Sequence, residues 1–536
     1  MTNYQFTGGT ICAPATIPGT GAISIIRVSG KEALAIADKV IDTKGVPIAE
    51  TEGYRLRYGT VFEADGSVLD NVIVSVFRAP HSYTGENSVE ISCHASRFIV
   101  NKLLELLVNA GARIAAPGEF TRRAFVNGKM DLAQAEAVAD VIASQSAASH
   151  RVAMNQLKGG FSSELKVLRE KLLTMTSLLE LELDFSEEDV EFASRKELGQ
   201  LVDDSLTHIR RLTASFSRGN AIKNGIPVAI VGATNTGKST LLNALLGEER
   251  AIVSDIAGTT RDTIEETLNI DGILFRFIDT AGIRETDETI EKIGIDRTFK
   301  KLGEATVVLG MTDLSRGEAA VLEDADFILS KVNEMGGVKN VGSVSDGAET
   351  GGTPLAETGG ASRHGHGDGQ ERKVVILVNK CDVAGSFYRD DNGTGDGSGN
   401  DLGENMAEIS DNKNVNHNNN IVSLIENKYD NCKVIPISAK TGKGLSTLTK
   451  TLGEIGSEIT GSTDETLVTN VRHYEALVRA ASALERVRAG LHIATLPPDL
   501  IAQDLREALY HLGEIVGEIT TDETLGNIFR NFCIGK

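Results

Sequence analysis

Residues 226–247 read IPVAIVGATNTGKSTLLNALLG: an apolar run, a glycine-punctuated loop and a leucine-rich stretch with helical spacing. IPVAIVG (226–232) is a short apolar strand, Gly232 to Ser239 spells G-x-x-x-x-G-K-S, and TLLNALLG continues as a helix. Strand, loop and helix in that order are the context in which such a loop cradles phosphate groups. Gly232 and Gly237 let the backbone curl so that its N–H groups face the phosphates, and the helix N-terminus adds a favourable dipole. Lys238 reaches the β and γ phosphates and Ser239 ligates Mg²⁺; Asn235, Thr236, Gly237 and Thr240 belong to the same contact set.

Four further segments follow in a fixed order. AGTTRD places Thr260 as a second Mg²⁺ hydroxyl ligand. ILFRFIDTAG is a strand ending in Asp279-Thr280-Ala281-Gly282, in which Asp279 serves the Mg²⁺ shell and the Gly282 N–H senses the γ phosphate. KVVILVNKCD ends in Asn379-Lys380-Cys381-Asp382. A carboxylate at Asp382, expected to be buried, accepts two hydrogen bonds from guanine N1–H and the 2-amino group, donors that adenine lacks. CKVIPISAK ends in Ser438-Ala439-Lys440, whose backbone faces the guanine 6-oxo group. Strand-end motifs in this order predict an open α/β sheet with its ligand at the strand C-termini, and a GTP site.

The position after the D-x-x-G motif is Ile283, which cannot orient an attacking water as glutamine does in many small GTPases. Two residues offer a substitute. The Asn235 amide oxygen can coordinate a monovalent cation beside the phosphates, supplying positive charge. Glu291, in TIEKIGIDR, is either a carboxylate that orients water or an ordinary solvated helix charge.

Working outward from this segment, residues 1–125 mix strands (Ile23–Val28, Tyr54–Phe62, Val68–Phe77) with a helix over Phe98–Asn109, a small α+β domain. Residues 126–222 and 459–536 carry long helical patterns with few breakers. The economical reading is a multidomain α/β chain: an N-terminal α+β domain and a discontinuous helical domain, with a Ras-like phosphate-loop G domain (223–458) inserted in the latter. Low-complexity stretches near 336–372 and 384–420 interrupt the G domain. They lack apolar residues to offset chain ordering and are expected to be flexible loops. His364 and His366 there read as solvated rather than as metal ligands.

The formal charge is 54 − 75 = −21, so the surface repels phosphate backbones at long range and any nucleic-acid contact needs a local basic patch or a partner. Five scattered cysteines without a C-x-x-C pair indicate a reducing cytoplasm and neither a zinc site nor a disulfide framework. No apolar run approaches the ~20 residues of a membrane span. The N-terminus lacks the basic and apolar regions of a signal peptide.

Segments outside the G motifs carry a resemblance: TICAPATIPGTGAISIIRVSG, HSYTGENSVE, PGEFTRRAFVNGKMDLAQAEAVADVI, the IEKIGIDR helix and the terminal FCIGK. Over nearly its whole length the chain resembles the tRNA-modification GTPase family MnmE (TrmE). The resemblance implies an N-terminal domain that forms a homodimer and binds 5-formyl-tetrahydrofolate or a related one-carbon folate through Arg27, Glu90, Lys129 and Lys536. Taken alone, Arg27 and Lys129 would read as surface charges. It also implies K⁺-stimulated hydrolysis with paired G domains. Asn235, Ser254, Ile256 and Thr259 would hold the cation, Asp255, Ala257 and Gly258 complete that loop at the nucleotide, and Glu291 is the catalytic glutamate. Ser254 stands where the family has threonine, and CHASR (93–97) replaces a glycine-rich G-H-G-G. Cys533 is either a buried structural thiol or, as the resemblance implies, a group facing the folate pocket with a part in one-carbon chemistry; C-a-a-X lipidation does not fit Gly535 and Lys536.

The resemblance further implies a flavin-dependent partner similar to MnmG (GidA), joined as a heterotetramer, and tRNA as substrate. The modification is a carboxymethylaminomethyl-type group on carbon 5 of the wobble uridine. A ribosome-assembly GTPase would need a basic RNA-binding module, which this acidic chain does not show. A GTP-dependent scaffold whose partner does all the chemistry remains open.

Overall fold

The structure is a computed structural model that describes residues 8–63, 65–184, 195–249, 266–278, 303–334, 372–382, 422–429, 432–461, 465–493, 497–530, 532 and 535. The chain forms two compact units, one of Met1–Ser144, Ser149–Gly219 and Thr463–Lys536, the other of Gln145–Ala148 and Asn220–Ser462. It is multidomain α/β.

In the first unit, strands β1 (Ile11–Pro14), β2 (Ile23–Ser29), β3 (Ile41–Asp42), β4 (Arg55–Phe62), β5 (Val68–Phe77), β6 (Ser88–His94) and β7 (Arg113–Ile114) make one sheet in the order β3-β4-β5-β6-β2-β1-β7. All pairs are antiparallel except β1 with β7. Alternation decides its faces. Ile26, Val28, Val72, Val74, Val76, Val89 and Ile91 point inward and are buried with Leu34, Leu103 and Leu107 of the Ala33–Val40 and Arg97–Asn109 helices. On the opposite face Leu56, Tyr58 and Ile73 are 65%, 66% and 47% exposed.

The same unit holds helices from two distant stretches of sequence. Gly160–Asp184, Arg195–Ala214, Val471–Leu491 and Pro498–Val516 share one aliphatic core. Leu165, Leu172 and Leu179 recur every seven residues, as do Leu477 with Leu484 and Leu505 with Leu512, so each helix buries one stripe. The Leu132–Ala143 helix enters through a reciprocal capping box between Asp131 and Gln134. The Gln134 amide also donates to Leu157 O at 3.0 Å.

Two residues further on, Glu136 is buried and accepts from Arg472 Nε at 2.9 Å and Nη2 at 3.1 Å, with His473 Nε2 at 2.6 Å. Arg472 spends its other donors on Glu514 O and Ile515 O. The carboxylate joins two helices, and Arg472 ties in a third. Burial pushes the Glu136 carboxyl up, but His473 and Arg472 outweigh it and hold it down at about 2.

In the second unit β8 (Ile226–Gly232), β9 (Glu266–Ile270), β10 (Ile273–Ile278), β11 (Val307–Asp313), β12 (Lys373–Asn379) and β13 (Cys432–Pro436) form a sheet in the order β13-β12-β11-β8-β10-β9. Every pair is parallel except β9 with β10, which turn through Asp271 and Gly272 at φ +53° and +79°, the two left-handed positions of a tight hairpin. Helices on both faces leave the strands apolar throughout. Val228 and Ile230 pack with Leu241, Leu245 and Leu448, while Ala229 and Val231 pack with Ile328 and Val332. The chain leaves β8 towards β10 on one side and β11 on the other, so a crevice opens at the end of β8. Residues 336–371 and 384–420 of the two low-complexity stretches lie outside the described residues. No helix among the described residues is long and apolar enough to cross a membrane.

The Glu136 cluster has a pH signature. A carboxyl whose pKa is lower folded than unfolded stabilises the fold above its unfolded value of about 4.5. That contribution drains away as pH falls towards about 2. Glu136→Gln should cost roughly 3 kcal/mol at neutral pH. The gap to wild type, read by urea unfolding of the helical circular-dichroism signal, should narrow between pH 4.5 and 3. A gap constant over that range contradicts this assignment.

Candidate functional site

The loop after β8 has the backbone its sequence requires. Gly232 and Gly237 sit at φ +157° and +97°. A Cβ on Gly232 would strike Met311 O, and one on Gly237 would strike the Asn379 amide nitrogen. Asn235 also adopts a left-handed φ of +60°, tolerated by its short polar side chain. That side chain is exposed, and among the described residues no hydrogen bond holds its amide. Thr236 is buried, with its hydroxyl donating to Ala233 O at 2.9 Å. Lys238 opens the Lys238–Glu249 helix and folds over the loop, donating to Gly232 O at 3.0 Å and Ala233 O at 2.8 Å. Burial pushes its ammonium below the usual lysine range, which a phosphate anion would reverse. Ser239 is half-buried and Thr240 exposed on the first helical turn.

At the end of β12, Asn379 is buried and uses both ends of its amide. Nδ2 donates to Thr236 O at 2.7 Å and Oδ1 accepts from Ala439 N at 3.0 Å. One side chain therefore joins the phosphate loop to the loop after β13. Lys380 turns the chain out of the sheet at φ +65°, and its ammonium reaches Asp313 Oδ2 at 2.6 Å. Asp382 accepts from the buried Ser438 hydroxyl at 2.8 Å. Ser438 Oγ in turn accepts from Thr441 N at 3.3 Å. Asp382 itself is exposed rather than buried, because the turn at Lys380 carries it beyond the C-terminal end of β12; Lys440 is exposed as well. The structure thus brings Asn235, Thr236, Gly237, Lys238, Ser239 and Thr240 to the same crevice as Asn379, Lys380, Asp382, Ser438 and Ala439.

In the other unit, Arg27 and Glu90 face each other across β2 and β6. Arg27 Nε and Nη2 both engage Glu90 Oε1, at 2.9 and 2.8 Å, leaving Oε2 out of the pair. The guanidinium lies 5.2 Å from the Tyr83 ring centroid and 5.6 Å from that of Phe120. Its Nη1 reaches Gly535 O at 3.5 Å, bringing the chain terminus to this spot. Gly535 is buried, and a Cβ there would strike Pro14 O. At 16% exposure Arg27 is not the surface charge that its isolated position suggests; strand register, invisible in a linear reading, buries it beside its partner. Lys129 is exposed and donates to Pro80 O at 3.1 Å, on the loop that also carries Tyr83.

Comparison with known proteins bears on both regions. A family model described as "GTP-binding protein TrmE N-terminus" matches residues 10–129, and one described as "MnmE helical domain" matches residues 132–533. The protein called tRNA modification GTPase MnmE in Parabacteroides distasonis is 46% identical over 530 residues, 98% of this chain and 100% of that one. Its namesake in Bacteroides thetaiotaomicron is 45% identical over 98% and 99% of the two chains. That of Porphyromonas gingivalis is 44% identical over 99% of each.

The chain belongs to the MnmE family of tRNA modification GTPases.

As an MnmE-family member it is a GTP hydrolase. Several expected residues lie outside the described ones: Ser254, Asp255, Ile256, Ala257, Gly258, Thr259, Thr260, Asp279, Thr280, Ala281, Gly282, Glu291, Cys533 and Lys536. The four described cysteines, Cys12, Cys93, Cys381 and Cys432, are buried free thiols, each pushed up to about 11 chiefly by burial. Asp313 was not singled out from sequence. Its only linear signal is an acidic residue closing an otherwise apolar strand.

The Asn379 amide yields a direct test. Asn379→Ala would leave Thr236 O and Ala439 N buried without a partner, each worth about 1–3 kcal/mol. GDP affinity, read by fluorescence titration, should fall roughly 10- to 100-fold. Unchanged affinity would mean that other contacts hold the two loops together.

Proposed function

We propose that this chain hydrolyses GTP at the β8 crevice to drive wobble-uridine modification. With a flavin-dependent partner resembling MnmG, it adds a carboxymethylaminomethyl-type group to carbon 5 of the wobble uridine of tRNA. The observation that carries the nucleotide reading is the linked set Thr236–Asn379–Ala439, with Ser438 holding Asp382. These hydrogen bonds tie the loop after β8 to the loops after β12 and β13, which supports reading the first as a phosphate cradle and Asp382 as the guanine-reading carboxylate. Lys238 neutralises the β and γ phosphates, and the two Asp382 carboxylate oxygens accept one each from guanine N1–H and the 2-amino group, with Ser438 orienting the carboxylate through Oδ1. Gly237 keeps the cradle open, since any side chain there would meet Asn379.

Ser239 and Thr260 would hold Mg²⁺, which screens the phosphate charge. Asn235, whose amide no hydrogen bond holds among the described residues, would hold K⁺ together with Ser254, Ile256 and Thr259, and K⁺ would supply positive charge beside the phosphates. Glu291 orients water, and Asp279 supports the metal shell. In the other unit, Arg27, Glu90, Lys129 and Lys536 would bind 5-formyl-tetrahydrofolate. Glu90 Oε2, which Arg27 does not engage, suits a pterin donor edge, and the cations suit the glutamate tail. Cys533 belongs to the same chain end. The exposed apolar face bearing Leu56, Tyr58 and Ile73 supports a homodimer. The net charge of −21 supports a partner that brings the basic tRNA-binding surface.

Hydrolysis by the purified chain should rise in K⁺ and stay low in Na⁺ at equal ionic strength, with Glu291→Ala lowering turnover and sparing nucleotide affinity. A rate indifferent to the swap refutes the cation role. Asp382→Asn should weaken GTP and improve xanthosine triphosphate, because the donor–acceptor pattern inverts. Purified chain with the flavin partner, tRNA, GTP, K⁺ and a one-carbon folate should yield the modified uridine by mass analysis of the tRNA. Full modification by Asp279→Ala or Glu291→Ala protein would overturn the role given to hydrolysis.

A further inference from the structure

We infer that Asp313, at the end of β11, is a positioning residue of the guanine site that acts by pinning the Lys380 side chain. The inference rests on the nucleotide reading above and extends it to a residue outside the strand-end motifs. Asp313 lies beside Asn379 in the β11–β12 register, one residue short of Lys380. It is buried, and its two oxygens have separate tasks. Oδ1 accepts from Ser315 N at 2.9 Å and Ser315 Oγ at 2.6 Å, capping the short Leu314–Arg316 helix. Oδ2 accepts from Lys380 Nζ at 2.6 Å. Burial pushes the carboxyl up, but hydrogen bonds from Lys380 and Ser315 outweigh it and keep it charged.

Around Lys380 the backbone is already fixed. Asn379 is tied to two loops, and Cys381 N donates to Ile437 O at 3.2 Å. What remains free is the four-methylene stem of Lys380, which would otherwise sample many rotamers. Asp313 removes that freedom by taking the ammonium. The stem then stands as a fixed apolar wall between Asn379 and Asp382, where the flat face of a base held by Asp382 needs one. A cap alone would need only Oδ1. The second oxygen, and the choice of a charge rather than an amide, are explained by Lys380.

Asparagine at 313 separates the tasks, because it keeps an acceptor for Ser315 and turns a donor towards Lys380. The probes are GDP, which uses both halves of the site, and inorganic triphosphate, which uses only the phosphate loop. Asp313→Asn should weaken GDP about tenfold, mostly through faster release, as loss of a charge-assisted hydrogen bond predicts. Triphosphate binding should be unchanged, and the KM for GTP should rise while kcat moves less than about twofold. In a Lys380→Met background, which keeps the stem without the charge, adding Asp313→Asn should have no further effect. Equal loss of GDP and triphosphate would make Asp313 a merely structural residue and overturn the inference. So would unchanged GDP binding, or a full additional loss in the Lys380→Met background. Wild-type protein that binds neither probe would instead overturn the nucleotide reading itself.

Discussion

The buried amide of Asn379 donates to Thr236 O and accepts from Ala439 N, and the geometry of the nucleotide crevice depends on those two bonds. Each of the linked loops leaves the C-terminal end of a different parallel strand, and none has a regular ladder to fix it against its neighbours. A side chain with one donor and one acceptor, buried where water cannot compete, sets their spacing. Asp382 and Ser438 then pair beside it, and Lys380 swings to Asp313. The parallel sheet supplies the platform. Its strands are apolar on both faces, so the polar groups that remain are concentrated at the strand ends, where a ligand can satisfy them.

Much of this was legible in the linear sequence because it is local. A strand, a glycine-punctuated loop and a helix in succession specify Gly232, Gly237 and Lys238 without knowledge of any other segment. The motif around Asn379 is equally local, and strand β10 follows from its apolar run. What sequence could not give is register. Arg27 and Glu90 meet because β2 and β6 pair with those residues opposite each other, 63 positions apart in the chain. Asp313 meets Lys380 for a comparable reason across β11 and β12. The buried state expected for Asp382 also failed, since a left-handed turn one residue after the strand carries it into solvent. The LAQAEA segment, recognisable as a family signature, owes its identity to partners far away: Gln134 to a helix end at Leu157, Glu136 to Arg472 and His473.

Charge constrains the functional account from the outside. Along the helical part of the first unit, Arg472, Arg479, Arg486, Arg488 and Arg506 are each matched with a carboxylate. Such cations stabilise helix packing locally and contribute little to attracting an RNA backbone. The proposed division of labour, with nucleotide chemistry here and RNA capture largely in a partner, is consistent with that pairing.

The central claim is that the strand-end frame reads guanine. Isothermal titration of the full chain with GDP and ADP in the presence of Mg²⁺ tests it most directly. The account predicts that GDP binds and that ADP binds at least about 100-fold more weakly, because adenine leaves the Asp382 carboxylate without its two donors. Equal affinity for the two nucleotides would contradict it.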